Sequence, residues 1–240
     1  MRRRWGTRGV GAVLAAVLIA TGLAGAAPAG AAGANAAGAP ANWAQDGYGP
    51  GNTGYNPAES VVNARTIGSV RRRWTAAPAP GSEGCGQPAV PPLVVGNRVF
   101  VLDSTGVGAY DAATGKRLWL HTAGYLEGTG LAVVGGLVVV TDVNCFSNSN
   151  YSSNVIALDA ATGAERWNEL TNWSTREFVA DAGVVVVGGY CGVCSDAEYG
   201  VDAFRAADGT RLWSRANAVL AGPVSAGGRV LLSDPGRHRS

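Results

Sequence analysis

The sequence contains a single lysine, Lys116, and only two histidines, His121 and His238. Charge of either sign is scarce, at 15% of the 240 residues, and the arginines are scattered in no single stripe. Four arginines (Arg2, Arg3, Arg4 and Arg8) fall in the first ten residues. Loss of residues 1–31 would remove them with no acid, turning a net charge of +2 into −2. A chain so near neutral lacks the electrostatic footprint of a nucleic-acid binder. Cys191-Gly192-Val193-Cys194 has zinc and redox spacing, but a zinc site wants a second short-spaced pair, which is missing. A thioredoxin-type motif wants a helix N-terminus to lower the thiol pKa. Here the motif follows the Val-rich run Val184 to Val187, and a structural disulfide is the plainer reading. Asp142 and Asn144 alternate like a calcium loop but lack its glycine and final glutamate. No metal or cofactor is expected.

Glycine is abundant, at 36 residues, which suits a turn-rich β-protein. The N-terminus reads as an export signal: the basic MRRRWGTR, the apolar VGAVLAAVLIATGLAG, then small residues with Ala29-Gly30-Ala31 as a cleavage site. The expected organisation is a signal peptide over 1–31, an Ala/Gly/Pro linker over 32–42 and a folded part over 43–240. An uncleaved membrane anchor is the alternative. The expected location is secreted or extracytoplasmic, with membrane contact only through the transient signal. In such a compartment disulfides persist, and the four cysteines, Cys85, Cys145, Cys191 and Cys194, suffice for two.

From Trp43 onward a two-part pattern recurs. Its first half is an apolar run, a tight turn and a second apolar run. It reads PPLVV-GN-RVFVLD from Pro91, LAVV-GG-LVVVTD from Leu131, FVAD-AG-VVVVGG from Phe178 and PVSA-GG-RVLLSD from Pro223. Two β-branched runs around a turn pair predict a hairpin. The second half appears three times. Ala109-Tyr110-Asp111 leads through Thr114 and Gly115 to Trp119, and Ala157-Leu158-Asp159 through Thr162 and Gly163 to Trp167. Ala203-Phe204-Arg205 leads through Asp208 and Gly209 to Trp213. The tryptophans from Trp74 to Trp213 follow at 45, 48 and 46 residues. Such a period with four short strands per unit predicts propeller blades, so the fold class is all-β, an incomplete β-propeller of four-stranded antiparallel blades. The acid and threonine cap the turn. The glycine relieves a left-handed backbone, and the tryptophan on the outermost strand covers the seam to the next blade. Asp111, Thr114, Gly115, Trp119, Asp159, Thr162, Gly163, Trp167, Gly209 and Trp213 are thus expected to dock blade on blade. Arg205 and Asp208 depart from the pattern and predict a weaker third turn.

This AxDxxTGxxxW unit resembles the pyrroloquinoline-quinone-like propeller repeat. The opening Trp43-Ala44-Gln45-Asp46 through Asn56 resembles the start of exported members of that family. The resemblance covers residues 43–234 and implies about seven or eight blades in a closed ring. Three units and the first hairpin of a fourth are present, which reads as a truncated or split product, or one completed by self-association through its open edges. The resemblance also raises a quinone-dependent dehydrogenase, whose adjacent-cysteine disulfide has no counterpart here. No residue matches that family's base or calcium ligands, so no catalytic or cofactor-binding residue is assigned.

With strands lettered A to D in each unit, A–B and C–D turns share one face, and D–A and B–C connections share the other. All four cysteines then fall on the second face. Of the three possible pairings, Cys85–Cys145 with Cys191–Cys194 is preferred. The expected function is a non-enzymatic binding or scaffold module presenting that face to a protein or glycan, with a quinoprotein oxidoreductase fragment as the alternative. A fragment inactive by itself is the third possibility.

Overall fold

The computed structural model describes residues 42–77, 90–122, 127–143, 153–191 and 198–234. Apart from one 3-10 turn, Ile67–Ser69, the regular structure among them is all strand. Three four-stranded antiparallel sheets and one hairpin follow in chain order. The first is β1 (Leu93–Val95), β2 (Arg98–Asp103), β3 (Gly106–Asp111) and β4 (Arg117–His121). The second is β5 (Glu127–Val134), β6 (Leu137–Val143), β7 (Ser153–Asp159) and β8 (Glu165–Thr171). The third is β9 (Ser174–Asp181), β10 (Val184–Tyr190), β11 (Tyr199–Arg205) and β12 (Arg211–Ala216). The hairpin is β13 (Val219–Ala226) with β14 (Arg229–Ser233). Each sheet is a simple meander, the topology of a propeller blade.

The burial pattern explains the composition. In β7 and β11 five of seven residues are buried, because a strand inside a blade has neighbouring sheets on both faces. Val, Ile, Leu and Ala therefore run on without the polar alternation of a one-sided sheet. The outer strand β12 is largely exposed, which places Arg211, Leu212 and Arg215 at the rim. Three apolar clusters fill the seams. One holds Val107, Ala109 and Leu158, the next Val155, Ala157, Trp167 and Phe204, the third Val201, Ala203 and Leu220.

The hairpin turns carry the backbone that their residues suit. Gly96, Gly135, Gly136, Gly227 and Gly228 have φ between +57° and +80°. In the third unit Ala182 takes a glycine's place at φ +48°.

The first strand of each sheet has an open inner edge, and a segment ahead of β1 covers all four. Trp43 exchanges backbone bonds with Val94 of β1 at 2.7 and 3.1 Å. The carbonyl of Ala44 accepts from Val133 N of β5 at 2.7 Å. The side-chain carbonyl of Gln45 accepts from Ala180 N of β9 at 3.0 Å. The Pro50 carbonyl accepts from Ser225 N of β13 at 2.7 Å. This strap satisfies edge groups that would otherwise invite another chain.

Candidate functional site

The tryptophans are aimed by local sequence. Trp119, Trp167 and Trp213 lie directly across from Ala109, Ala157 and Ala203, and the register shifts immediately after each alanine. A small residue leaves room for the indole, and the irregularity turns it off its own sheet. Trp74, Trp119 and Trp167 each donate their indole N–H to the next unit's turn, at Ala112 O (2.9 Å), Ala160 O (3.3 Å) and Ala206 O (2.8 Å). Their rings lie on the turn glycines. A Cβ on Gly115, Gly163 or Gly209 would come within 2.7, 2.6 or 2.9 Å of ring carbons. These glycines have φ from +72° to +74°, so backbone and space both require them.

The turns are closed by the expected residue types. Asp111 Oδ1 accepts from Ala113 N, Thr114 N and Thr114 Oγ1 at 2.8–3.1 Å. Asp159 repeats this with Ala161 and Thr162 and adds Arg166 on Oδ2 at 2.7 Å. That guanidinium, with Thr162, holds the Asp159 carboxyl at about 2. Thr114 lowers Asp111 in the same sense. In the third turn the roles are exchanged. Arg205 donates to Asp208 at 2.9 Å and to Thr210 Oγ1 at 3.1 Å, while Asp208 accepts from Thr210 N at 3.0 Å. The backbone and side chain of Thr210 and then Arg205 bring Asp208 to about 2. The bonds expected to be missing there are replaced by others.

Of the four cysteines, Cys85, Cys145 and Cys194 lie outside the described residues. Cys191, just past β10, is buried and disulfide-bonded, packed against Trp173. Trp173 stands outside the repeat, so its spacing marks no role for it. Its indole fills the space over Gly200, where a Cβ would meet it at 2.0 Å. Alternation along β11 puts Asp202 on the same face as Gly200, and Thr171 Oγ1 donates to Asp202 Oδ2 at 2.8 Å. Trp173 Nε1, Thr175 Oγ1 and Asp202 Oδ1 are buried with no partner among the described residues. In the sheet before, Asp142 is pushed up by burial and holds Asn154 through its backbone and side-chain N–H groups.

Between strap and inner strands lies a cleft of about 230 Å³, lined by Gln45, Asp46, Asn52, Thr129, Arg176 and Phe178 among others. It runs along the first halves of β5 and β9, toward the D–A and B–C face. At its edge the Arg176 guanidinium stacks 4.8 Å from the Tyr190 ring centre. Asp46 is its one lining carboxylate and already accepts Gly47 N at 2.8 Å. That donor set does not fit a quinone paired with a metal ion, and among the described residues no group of three acidic, His or Cys side chains could hold a metal.

Four-stranded meanders, each locked to the next by an indole on a turn glycine, are blades of a β-propeller built from pyrroloquinoline-quinone-like repeats. The family model described as outer membrane protein assembly factor BamB matches residues 103–237, and the chain belongs to that family. It is 31% identical over 162 residues to the outer membrane protein assembly factor BamB of Bordetella pertussis, covering 67% of this chain and 36% of that one. The chain thus spans about a third of that curated relative. Among solved structures it shares its fold with a europium-containing methanol dehydrogenase (TM-score 0.56, 21% identity, covering 74% of this chain and 32% of that one). It does so also with the quinohemoprotein alcohol dehydrogenase of Comamonas testosteroni (0.54, 23%, 75% and 28%).

Proposed function

We propose that this chain is an exported, non-enzymatic binding or scaffold module that engages a protein or glycan through its D–A and B–C face and the adjoining inner cleft. In this reading residues 1–31 are the export leader, and disulfides among Cys85, Cys145, Cys191 and Cys194 pin the loops of that face. The Trp–Gly locks hold the blades rigid behind it. The observation that carries the reading is the cleft, where polar Gln45, Asn52, Thr129 and Arg176 stand beside apolar Phe178. Its family relative is named as an assembly factor, which favours the same class. The dehydrogenases share the fold, which keeps a quinoprotein fragment as the second reading.

Site-specific photo-crosslinkers separate the two in envelope preparations. Adducts are expected at positions 129 and 176 and not at the exposed outer-strand positions Leu118 and Leu170. Equal labelling at all four, or stoichiometric binding of pyrroloquinoline quinone with calcium in calorimetry, would overturn the proposal.

A further inference from the structure

Two residues of the inner cleft hold the same place in their strands. Thr129 and Arg176 are each the third residue of an inner strand of eight, β5 and β9. The ladder skips both. Asp142 and Thr141 of β6 face Gly128 and Gly130, which leaves Thr129 unpaired. Gly189 and Gly188 of β10 face Thr175 and Glu177, which leaves Arg176 unpaired. A bulged residue is released from the pleat and can be aimed off its sheet. Here both bulged residues line one cleft. In β13 the ladder slips again between Leu220 and Ser225, and Pro223 of that stretch lines the cleft too. The fold thus fixes the position and leaves the residue free to differ, a threonine in one blade and an arginine in the next.

Among the described residues Arg176 is the one cation lining the cleft. The Tyr190 ring, 4.8 Å away, orients its guanidinium, yet no described residue pairs with it as an ion or hydrogen-bond acceptor. Glu177 senses its charge but turns its own carboxylate over Gly188, beside Leu220. The other polar groups are already engaged. Gln45 Oε1 holds Ala180 N, Asp46 accepts from Gly47 N, Thr129 Oγ1 meets Thr141 Oγ1 at 2.9 Å, and the Asn52 side-chain oxygen fills the space over Gly47. A hydroxyl-rich sugar would need several such groups open at once. An oriented guanidinium without an acid calls for one planar anion, matched by two parallel N–H···O bonds. Beside it Phe178 lies over Gly130, where a Cβ would come within 2.8 Å of the ring, and gives an apolar floor. We infer that Arg176 receives a single carboxylate of a protein partner, from an Asp or Glu side chain next to an apolar residue that rests on Phe178. This rests on the cleft being the binding site proposed above, and it names the partner's chemistry.

The probes are the capped peptide acetyl-Gly-Glu-Leu-Gly-amide, its Gln counterpart, inorganic phosphate and glucuronate. Each is titrated into the full ¹⁵N-labelled chain, with the Thr129 amide and the Arg176 Nε–H as reporters. The Glu peptide is expected to shift both resonances saturably and to bind at least about tenfold more tightly than the Gln peptide. Arg176→Gln should abolish that preference, and Arg176→Lys, which keeps the charge without the fork, should retain part of it. Arg176 is exposed, so both variants should keep the parent's urea midpoint. Absence of a saturable shift overturns the proposal, as does equal affinity for the two peptides or a preference that survives Arg176→Gln. Phosphate or glucuronate binding as tightly as the Glu peptide overturns it in favour of a general anion site or an acidic glycan. The two readings fail separately. Crosslinks at position 129 that persist without any Glu preference would keep the cleft as a binding site and remove the carboxylate. A Glu preference without crosslinks would keep the carboxylate site and remove the partner-binding role.

Discussion

Gln45 and Ala180 are joined across 135 residues by one hydrogen bond, 3.0 Å from the glutamine side-chain oxygen to the alanine backbone nitrogen. Both residues are buried, so the bond has no ready replacement in water. Gln45→Ala should lower stability by about 1–3 kcal/mol, the cost of leaving a buried N–H unmade. The check is a urea titration, in which the midpoint falls and the slope is unchanged. An unmoved midpoint would mean the strap contributes no stability.

Two glycines with similar backbone should respond differently. Gly135 has φ +57° and open space around it, whereas Gly163 has φ +74° with Trp119 carbons 2.6 Å from where a Cβ would stand. Gly135→Ala should cost about 1 kcal/mol, the left-handed penalty alone. Gly163→Ala should add about 1–3 kcal/mol of overpacking. Thermal or denaturant unfolding of the pair measures the difference.

The repeat tryptophans should also separate. Trp167→Ala should cost about 3–5 kcal/mol. Trp167→Phe should cost about 1 kcal/mol through the lost bond to Ala206 O. At Trp213, whose N–H has no such acceptor among the described residues, the Phe variant should lie within about 0.5 kcal/mol of the parent.

Stability should fall in acid through the turn carboxylates. The folded Asp159 is held at about 2 by Arg166 and Thr162, below its ordinary 3.8. A depressed carboxyl stabilises the fold above its unfolded value, and that contribution disappears as pH falls through the folded value. The urea midpoint should therefore decline as pH drops from 3.8 to about 2, with a shallower decline in Asp159→Asn. Asp208 and Asp111 titrate in the same direction, so the variant should retain part of the slope.

Ala182 occupies a left-handed position, φ +48°, where the first, second and fourth hairpins use glycine. Ala182→Gly should stabilise by up to about 1 kcal/mol, relief of strain offset by a freer unfolded chain. A lowered melting temperature would contradict this.

The blades were legible because their physics is local and periodic. Asp159, Thr162 and Gly163 meet within one turn, and Trp167 sits at a fixed offset from it, so spacing alone carries the pattern. The third turn was only half legible. Exchanging Asp for Arg205 and Thr for Asp208 looks like loss in sequence, yet the exchanged charges bond each other in three dimensions. Gln45 belongs to the opening that resembles the family's start, but its partner Ala180 lies in the third sheet and no period links them. The buried, unpartnered polar atoms of Trp173, Thr175 and Asp202 left no signal either, since no repeat spacing marks them.

The strap also sets an order of assembly. Its residues precede every strand of the four sheets, yet its bonds reach β1, β5, β9 and β13 in turn. The first of these can close once one sheet exists, and the last only after β13 has been made. The segment made ahead of the strands is therefore the last to be fully seated, and its contacts of high sequence separation belong to the slow end of folding. Until then the inner edges stay open one after another, so the strap works as a running count of finished blades.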